Sequence, residues 1–460
     1  MKIIIKNLGA LKQAEFTLGD LTIICGKNNT GKTYATYALF GFLHFWRESF
    51  SIKISNEDVL SLLNDGSIEL DIQNYVNNAK DILKDGCDQY SKRLPFVFAS
   101  PEKYFTDSKF CIDLNENDIC PLQSFERTMG AANTQLFSIL KKSESNLVVI
   151  SLLVDKENVK IPRNLINRII GDALKEIIFS NLFPNPFIAS AERTGAAIFR
   201  KELNFARNRL LEEMGSREKD INPFEILSKV YSDYALPVKS NVEFTRQLEE
   251  LAKKDSFIAT QHPEILNNFA DIIGGDYLVT KSDELYYVPK GKNIRLTMDQ
   301  SSSAVRSLLD IGFYLRHVAV SGDLLMVDEP ELNLHPENQR RVARLFARLV
   351  NLGIKVFITT HSDYIIKELN NLIMLNQDEE RFKKIVEREG YLRDELISSE
   401  NVKVYIAEKS LIKTDDAQRK TNCHTLVPAD VDKKLGIEVK SFDTTIEAMN
   451  RIQEEIIWGS

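Results

Sequence analysis

The sequence predicts an α/β fold with a mostly parallel sheet, an antiparallel β lobe and an inserted helical arm. Near the start, a strand-like run ending in Leu21-Thr22-Ile23-Ile24-Cys25 leads straight into a glycine-rich loop and then a helical stretch from Lys32 to about His44. Near the other end, apolar runs at 323–327 and 354–360 alternate with helical patterns, and strands alternating with helices imply parallel pairing. Between them, from about 196 to 275, the chain turns to charged amphipathic helix, as at 199–203 and 244–251.

Taken in order, residues 2–6 and 13–25 read as strands. From about 50 to 185, short strand-like runs such as 146–154 mix with a helix around 165–182, elaborating the first lobe. Strand signals return at 276–287 and 293–298, followed by a helix from about 302 to 318, a buried strand, a helix and a second buried strand. The expected division is 1–195 as the N-terminal half of a head, 196–275 as the arm, and 276–460 as the C-terminal half with its tail. No internal repeat or low-complexity linker is visible.

Composition narrows the class. With 460 residues and 43% hydrophobic content, the chain has room for a large core and an insertion. Its 59 Lys+Arg against 66 Asp+Glu give −7, which excludes a global positive field and leaves only local patches for nucleic acid. No apolar run approaches the roughly 20 residues of a membrane helix, since 311–327 is broken by Arg316, His317 and Asp323. The N-terminus enters an alternating strand with no export leader, so the expected location is the cytoplasm. Five cysteines without a C-x-x-C pair read as reduced thiols, and the six scattered histidines form no zinc set.

Gly26-Lys27-Asn28-Asn29-Thr30-Gly31-Lys32-Thr33 fits G-x-x-x-x-G-K-[ST] between a strand and a helix. Such a loop curls its backbone amides around a β-phosphate; Lys32 would reach the β/γ-phosphates of ATP and Thr33 would hold Mg²⁺. Leu324-Leu325-Met326-Val327-Asp328-Glu329 is an apolar strand ending in two acids. There Asp328 would bind the Mg²⁺ shell and Glu329 would orient or deprotonate the attacking water. His361 ends the next apolar strand, where an imidazole can hydrogen-bond the γ-phosphate.

The phosphate loop, Asp-Glu-Pro-Glu-Leu-Asn-Leu-His-Pro at 328–336 and Thr-Thr-His-Ser at 359–362 together resemble ABC-type ATPases of the OLD/RecF/SMC kind. The stretch from Glu329 to Pro336 resembles OLD-family and related phage-defence ATPases more than membrane-transporter ATPases. The resemblance covers roughly 1–45 and 276–375. It also implies that Glu192 and Arg193, after Ile188-Ala189-Ser190-Ala191, stand near the γ-phosphate where transporter relatives have glutamine. In such ATPases two heads enclose two ATP, each site completed by the partner's signature loop. The matching position here is Ser301-Ser302-Ser303 at a helix start, with Ser303 where the family has glycine, a departure that bears on tight closure and fast turnover. The other reading of these serines is an ordinary helix cap.

Two further features are weaker. Asp430 and Asp432 with Glu408 mimic the acidic set of a TOPRIM nuclease, but at a spacing too short for the intervening units. Arg340, Arg344 and Arg348 fall at i, i+4, i+8, a stripe read first as a solvated helix face and second as a surface for nucleic acid or an acidic partner. Length, insertion and tail most resemble the PtuA family, the ATPase subunits of Septu or retron-associated phage-defence systems. That resemblance implies a homodimer or higher oligomer, an HNH-type nuclease partner of the PtuB kind, and nucleic acid reached through the complex. The alternatives are a RecF/SMC-like repair ATPase acting directly on DNA, and the ATPase of another two-gene system that sequesters a toxic effector.

Overall fold

Leu21, Ile23, Ile24 and Cys25 are all buried, as are Leu324–Asp328 and all but the first residue of Lys355–Thr360. A strand apolar on both faces is stable only inside a sheet that is covered on both sides. In the computed structural model these strands lie side by side in a six-stranded sheet. Its order is Thr421–Ala429, Val402–Ile412, Leu21–Cys25, Lys355–Thr360, Leu324–Asp328, Pro186–Ala189. Every pairing is parallel except the one between Thr421–Ala429 and Val402–Ile412. The structure describes residues 1–114, 118–131, 134–153, 162–200, 234–282, 284–414, 419–438 and 440–458.

The chain forms two compact units, one of 1–4, 42–94 and 108–184, the other of 5–41, 95–107 and 185–460. The first holds the expected antiparallel lobe: Ser67–Asp71, Leu147–Leu152, Thr134–Lys141 and Phe125–Ala131 in that order. Its core is aromatic. Phe42, Trp46 and Phe50 recur every four residues and so share one helix face. Phe42 stacks on Phe110 with centroids 5.0 Å apart, and Phe50 meets Phe179 edge-on at 5.1 Å.

The second unit holds the six-stranded sheet. Val342, Phe346 and Leu349 of helix Pro336–Asn351 share one core cluster with Ile365, Leu369 and Leu372 of helix Asp363–Met374 and with Val356 and Ile358 of the sheet. The described part of the expected arm belongs to this core. Leu248, Ile258, Ile265, Phe269 and Ile272 are buried in the same cluster, and Phe244 meets Phe187 of the edge strand at 4.9 Å. Residues 201–233 of the expected arm lie outside the described residues. The helix expected over 302–318 is three short pieces, Ser303–Ser307, Leu309–Phe313 and a π-type turn Tyr314–Val318. No helix among the described residues is long and apolar enough to cross a membrane.

The arginine stripe is solvated only at its Arg340 end and is paired within the chain along its length. Arg340 and Arg344 each direct Nε at one oxygen of Glu368, at 2.7 and 2.5 Å, and the Glu368 side chain is 1% exposed. Arg348 is buried and pairs with Asp394 at 2.6 Å, while Arg344 also lies over the Tyr391 ring at 4.1 Å. These partners follow the stripe by 24 to 46 residues, so spacing along the helix could not show them. Removing one member of a buried pair strands the charge of the other. Glu368→Ala is therefore expected to lower stability by about 3 kcal/mol in urea unfolding; a loss under about 1 kcal/mol would mean the two arginines find water instead.

Candidate nucleotide site

Parallel register sets the site. Cys25 pairs with Thr360, Asp328 with Thr359, and Val327 with Ala189, so the residues that follow these strands emerge at one sheet edge. That edge, the carboxyl end of a parallel sheet, is where such folds bind ligands. It receives Gly26, Glu329, His361 and Ser190 from four separate stretches of chain.

Gly26 and Gly31 have φ of 140° and 105°, and a Cβ on either would collide, with the Ala407 carbonyl oxygen at 2.5 Å or Leu11 at 2.6 Å. Only glycine fits both positions. Lys27, Asn28 and Asn29 are exposed along the loop, whereas Thr30 is buried and its hydroxyl donates to the Lys27 carbonyl at 2.8 Å. Lys32 opens helix Lys32–Ser49 and its ammonium donates to the carbonyls of Gly26 and Lys27, both at 2.9 Å. Burial draws the Lys32 pKa down, and the carboxylates of Glu329, Asp328 and Glu331 oppose that. Thr33 is exposed beside it.

Asp328 is almost fully buried. Burial pushes its pKa up to about 6, although the Thr359 hydroxyl donates to Oδ1. Its Oδ2 is buried without a hydrogen-bond partner. A buried carboxylate oxygen with spare capacity, with a threonine hydroxyl on the loop, is a hard-oxygen donor set that suits Mg²⁺. Glu329 is half-buried in a left-handed backbone conformation, φ 53°, and its amide donates to the Thr359 carbonyl at 3.1 Å.

His361 stands between two acids, its Nδ1 3.7 Å from Glu329 and its Nε2 3.7 Å from Glu331. Glu331 sits at the end of strand Lys355–Thr360. It accepts from the Thr360 hydroxyl at 2.9 Å and from the His361 amide at 2.8 Å. It lay within the stretch that carries the family resemblance, yet nothing in its spacing marked a role. Tyr37 was also missed: its hydroxyl donates to Glu192 at 3.0 Å.

Glu192 is exposed, but Arg193 is not. Its guanidinium is spent on backbone carbonyls, of Ser190, Ser307, Asp328 and Glu329, at 2.6 to 2.9 Å. Direct contact with a phosphate, as expected from the resemblance, would break those bonds and leave buried carbonyls unpaired. Arg193 therefore acts on the protein's own chain. Of the serines, Ser301 turns its hydroxyl to the Thr297 carbonyl at 2.8 Å, Ser303 is half-buried, and exposed Ser302 caps the short helix by accepting from the Val305 amide at 3.3 Å. Asp432 accepts from the amides of Lys434 and Leu435, so its carboxylate closes its own turn.

The profile of the AAA ATPase domain matches residues 1–366. The chain belongs to that family. No curated protein is significantly similar to it. Among solved structures, this AAA ATPase domain is distantly similar to an SMC head bound to the C-terminal winged-helix domain of ScpA, at 11% identity and TM-score 0.32 over 92% of this chain and 97% of that one. An SMC head domain from Thermotoga maritima gives 10% and 0.29 over 94% and 98%. An Smc head with an extended coiled coil, bound to the C-terminal domain of ScpA derived from Pyrococcus furiosus, gives 13% and 0.30 over 98% and 98%.

In this AAA ATPase domain, Lys32 is the buried cation of the loop, and Lys27 is exposed. Charge-assisted bonds to phosphate are the strong ones in such a site. Lys32→Ala is expected to abolish ATP binding in calorimetry, and unchanged affinity would remove the loop from the nucleotide site.

Proposed function

We propose that this ATPase is of the ABC type, in the OLD/RecF/SMC group, and serves as the regulatory subunit of an antiphage defence complex. In this reading it controls a separate HNH-type nuclease through nucleotide-dependent dimerisation of heads. The observation that carries the ATPase part is the convergence of the phosphate loop, the Asp328-Glu329 turn and His361 at one sheet edge.

Lys32 would leave the loop carbonyls for the β/γ-phosphates, and Asp328 with Thr33 would hold a Mg²⁺ that would supply charge neutralisation at the phosphate oxygens. Glu329 orients and deprotonates the water. His361, set by Glu331, hydrogen-bonds the γ-phosphate, and Glu192 is fixed by Tyr37 at the same edge. Ser302, exposed at a helix start, meets the nucleotide of a second head. The defence role is supported by the resemblance of 328–336 and of the overall organisation. Direct action on DNA loses the helix face that the sequence offered for it, because Arg340, Arg344 and Arg348 are paired within the chain.

Glu329→Gln keeps shape and removes the base. ATP binding is expected to persist while hydrolysis is lost and an ATP-bound dimer lives longer in size-exclusion chromatography; near-normal turnover would take Glu329 out of the mechanism. The purified chain alone is expected to cut no nucleic acid with ATP and Mg²⁺ or Mn²⁺, and cleavage is expected once an HNH-type partner is added. Metal-dependent cleavage by the chain alone, lost in Asp430→Ala and Asp432→Ala, would replace the regulatory reading with a nuclease one.

A further inference from the structure

Arg193 joins three stretches of chain through one guanidinium. Nε donates to the Ser307 carbonyl at 2.6 Å, one terminal nitrogen to Ser190 and Asp328 at 2.8 and 2.7 Å, and the other to Glu329 at 2.9 Å. All four acceptors are main-chain oxygens, so the arginine grips the path of the backbone and makes no hydrogen bond to the side chains of Asp328 and Glu329. Ser307 is the last residue of the short helix that Ser302 caps. Glu329 is held in a left-handed conformation that a non-glycine residue seldom adopts. Beside this grip lies Asp310, fully buried, with no hydrogen-bond partner on either oxygen, and Arg193 is the cation that opposes the cost of its burial.

We infer that Arg193 is a positioning residue that couples the 301–307 segment to the Asp328-Glu329 turn, so that a ligand pressing on the serines shifts the placement of Glu329 in the same chain. The inference rests on the reading of Glu329 and Ser302 given above. If Ser302 of one head meets the nucleotide held by another, the grip makes hydrolysis at each site depend on occupancy of the other, a coupling through a defined mechanical part.

Arg193→Lys tests this, because it keeps a cation near Asp310 but offers one nitrogen where the guanidinium offers three. The expected result is a kcat at least tenfold lower with ATP affinity in calorimetry within threefold of the parent. Combined with Ser302→Ala, the loss in kcat is expected to fall at least threefold short of the product of the two single losses. A normal kcat, an affinity that falls as far as kcat, or losses that simply multiply would overturn the coupling. If Arg193→Lys does not fold, exposed Ser302→Ala carries the test alone. Hydrogen exchange at the 327–332 amides is then expected to quicken at least threefold without nucleotide, and unchanged exchange would overturn it. Turnover by Glu329→Gln would instead sink the catalytic reading, whereas an inert Glu329→Gln beside a fully active Arg193→Lys would sink only the coupling.

Discussion

Parallel pairing of Leu21–Cys25, Lys355–Thr360, Leu324–Asp328 and Pro186–Ala189 in one register is the constraint from which the site follows. Side chains alternate across a sheet, so a slip of one residue would send Asp328 to the other face and separate it from Thr359. Burial on both faces prevents the slip, since every shifted position would trade a filled core site for a void or a clash. The cost appears at the edge the strands share. Asp328, Glu329 and Glu331 stand together at that edge, and burial pushes the pKa of Asp328 up to about 6. A nucleotide's phosphate chain with a divalent cation would bring anion and cation at once to an edge that presents these acids beside Lys27 and Lys32.

How much of this the sequence revealed depends on whether the signal was local. Buried strands show as unbroken apolar runs, and the phosphate loop shows as glycines at the spacing its backbone requires; Gly26 and Gly31 do have the positive φ that such a loop needs. The acids at 328 and 329 were legible because a strand end is a local event. The arginine stripe was legible as a stripe and misread as solvated, because Glu368 and Asp394 reach it only through folding. The charges at 244–251 were legible because they are local, whereas the cluster that buries Leu248, Ile265 and Phe269 is not. The 302–318 helix starts at the Ser302 cap, which the serine run did advertise, and breaks after Ser307.

Arg193 shows the limit most clearly. A resemblance could place it near the γ-phosphate, but its acceptors are carbonyl oxygens, which every residue carries and no sequence pattern marks. Glu331 is similar in kind, since it pairs with the Thr360 hydroxyl and with a main-chain amide. Between them these two residues fasten the acidic turn on both sides. Arg193 ties it to the 301–307 segment, and Glu331 ties it to the strand end that bears His361. Neither spends a catalytic side chain to do so.

That division explains why the buried charges here are of two sorts. Arg344 and Arg348 are matched by carboxylates, and a matched pair resists rearrangement because breaking it strands both partners. Arg193 is matched mainly by dipoles, each carbonyl bearing only a partial charge, with Asp310 opposing it without a hydrogen bond. A cation held by several partial charges can exchange one acceptor for another at a fraction of the cost of parting an ion pair. The first arrangement suits a scaffold that must keep two helices together. The second suits a joint, where a small displacement of one chain segment has to reach another without either one coming apart.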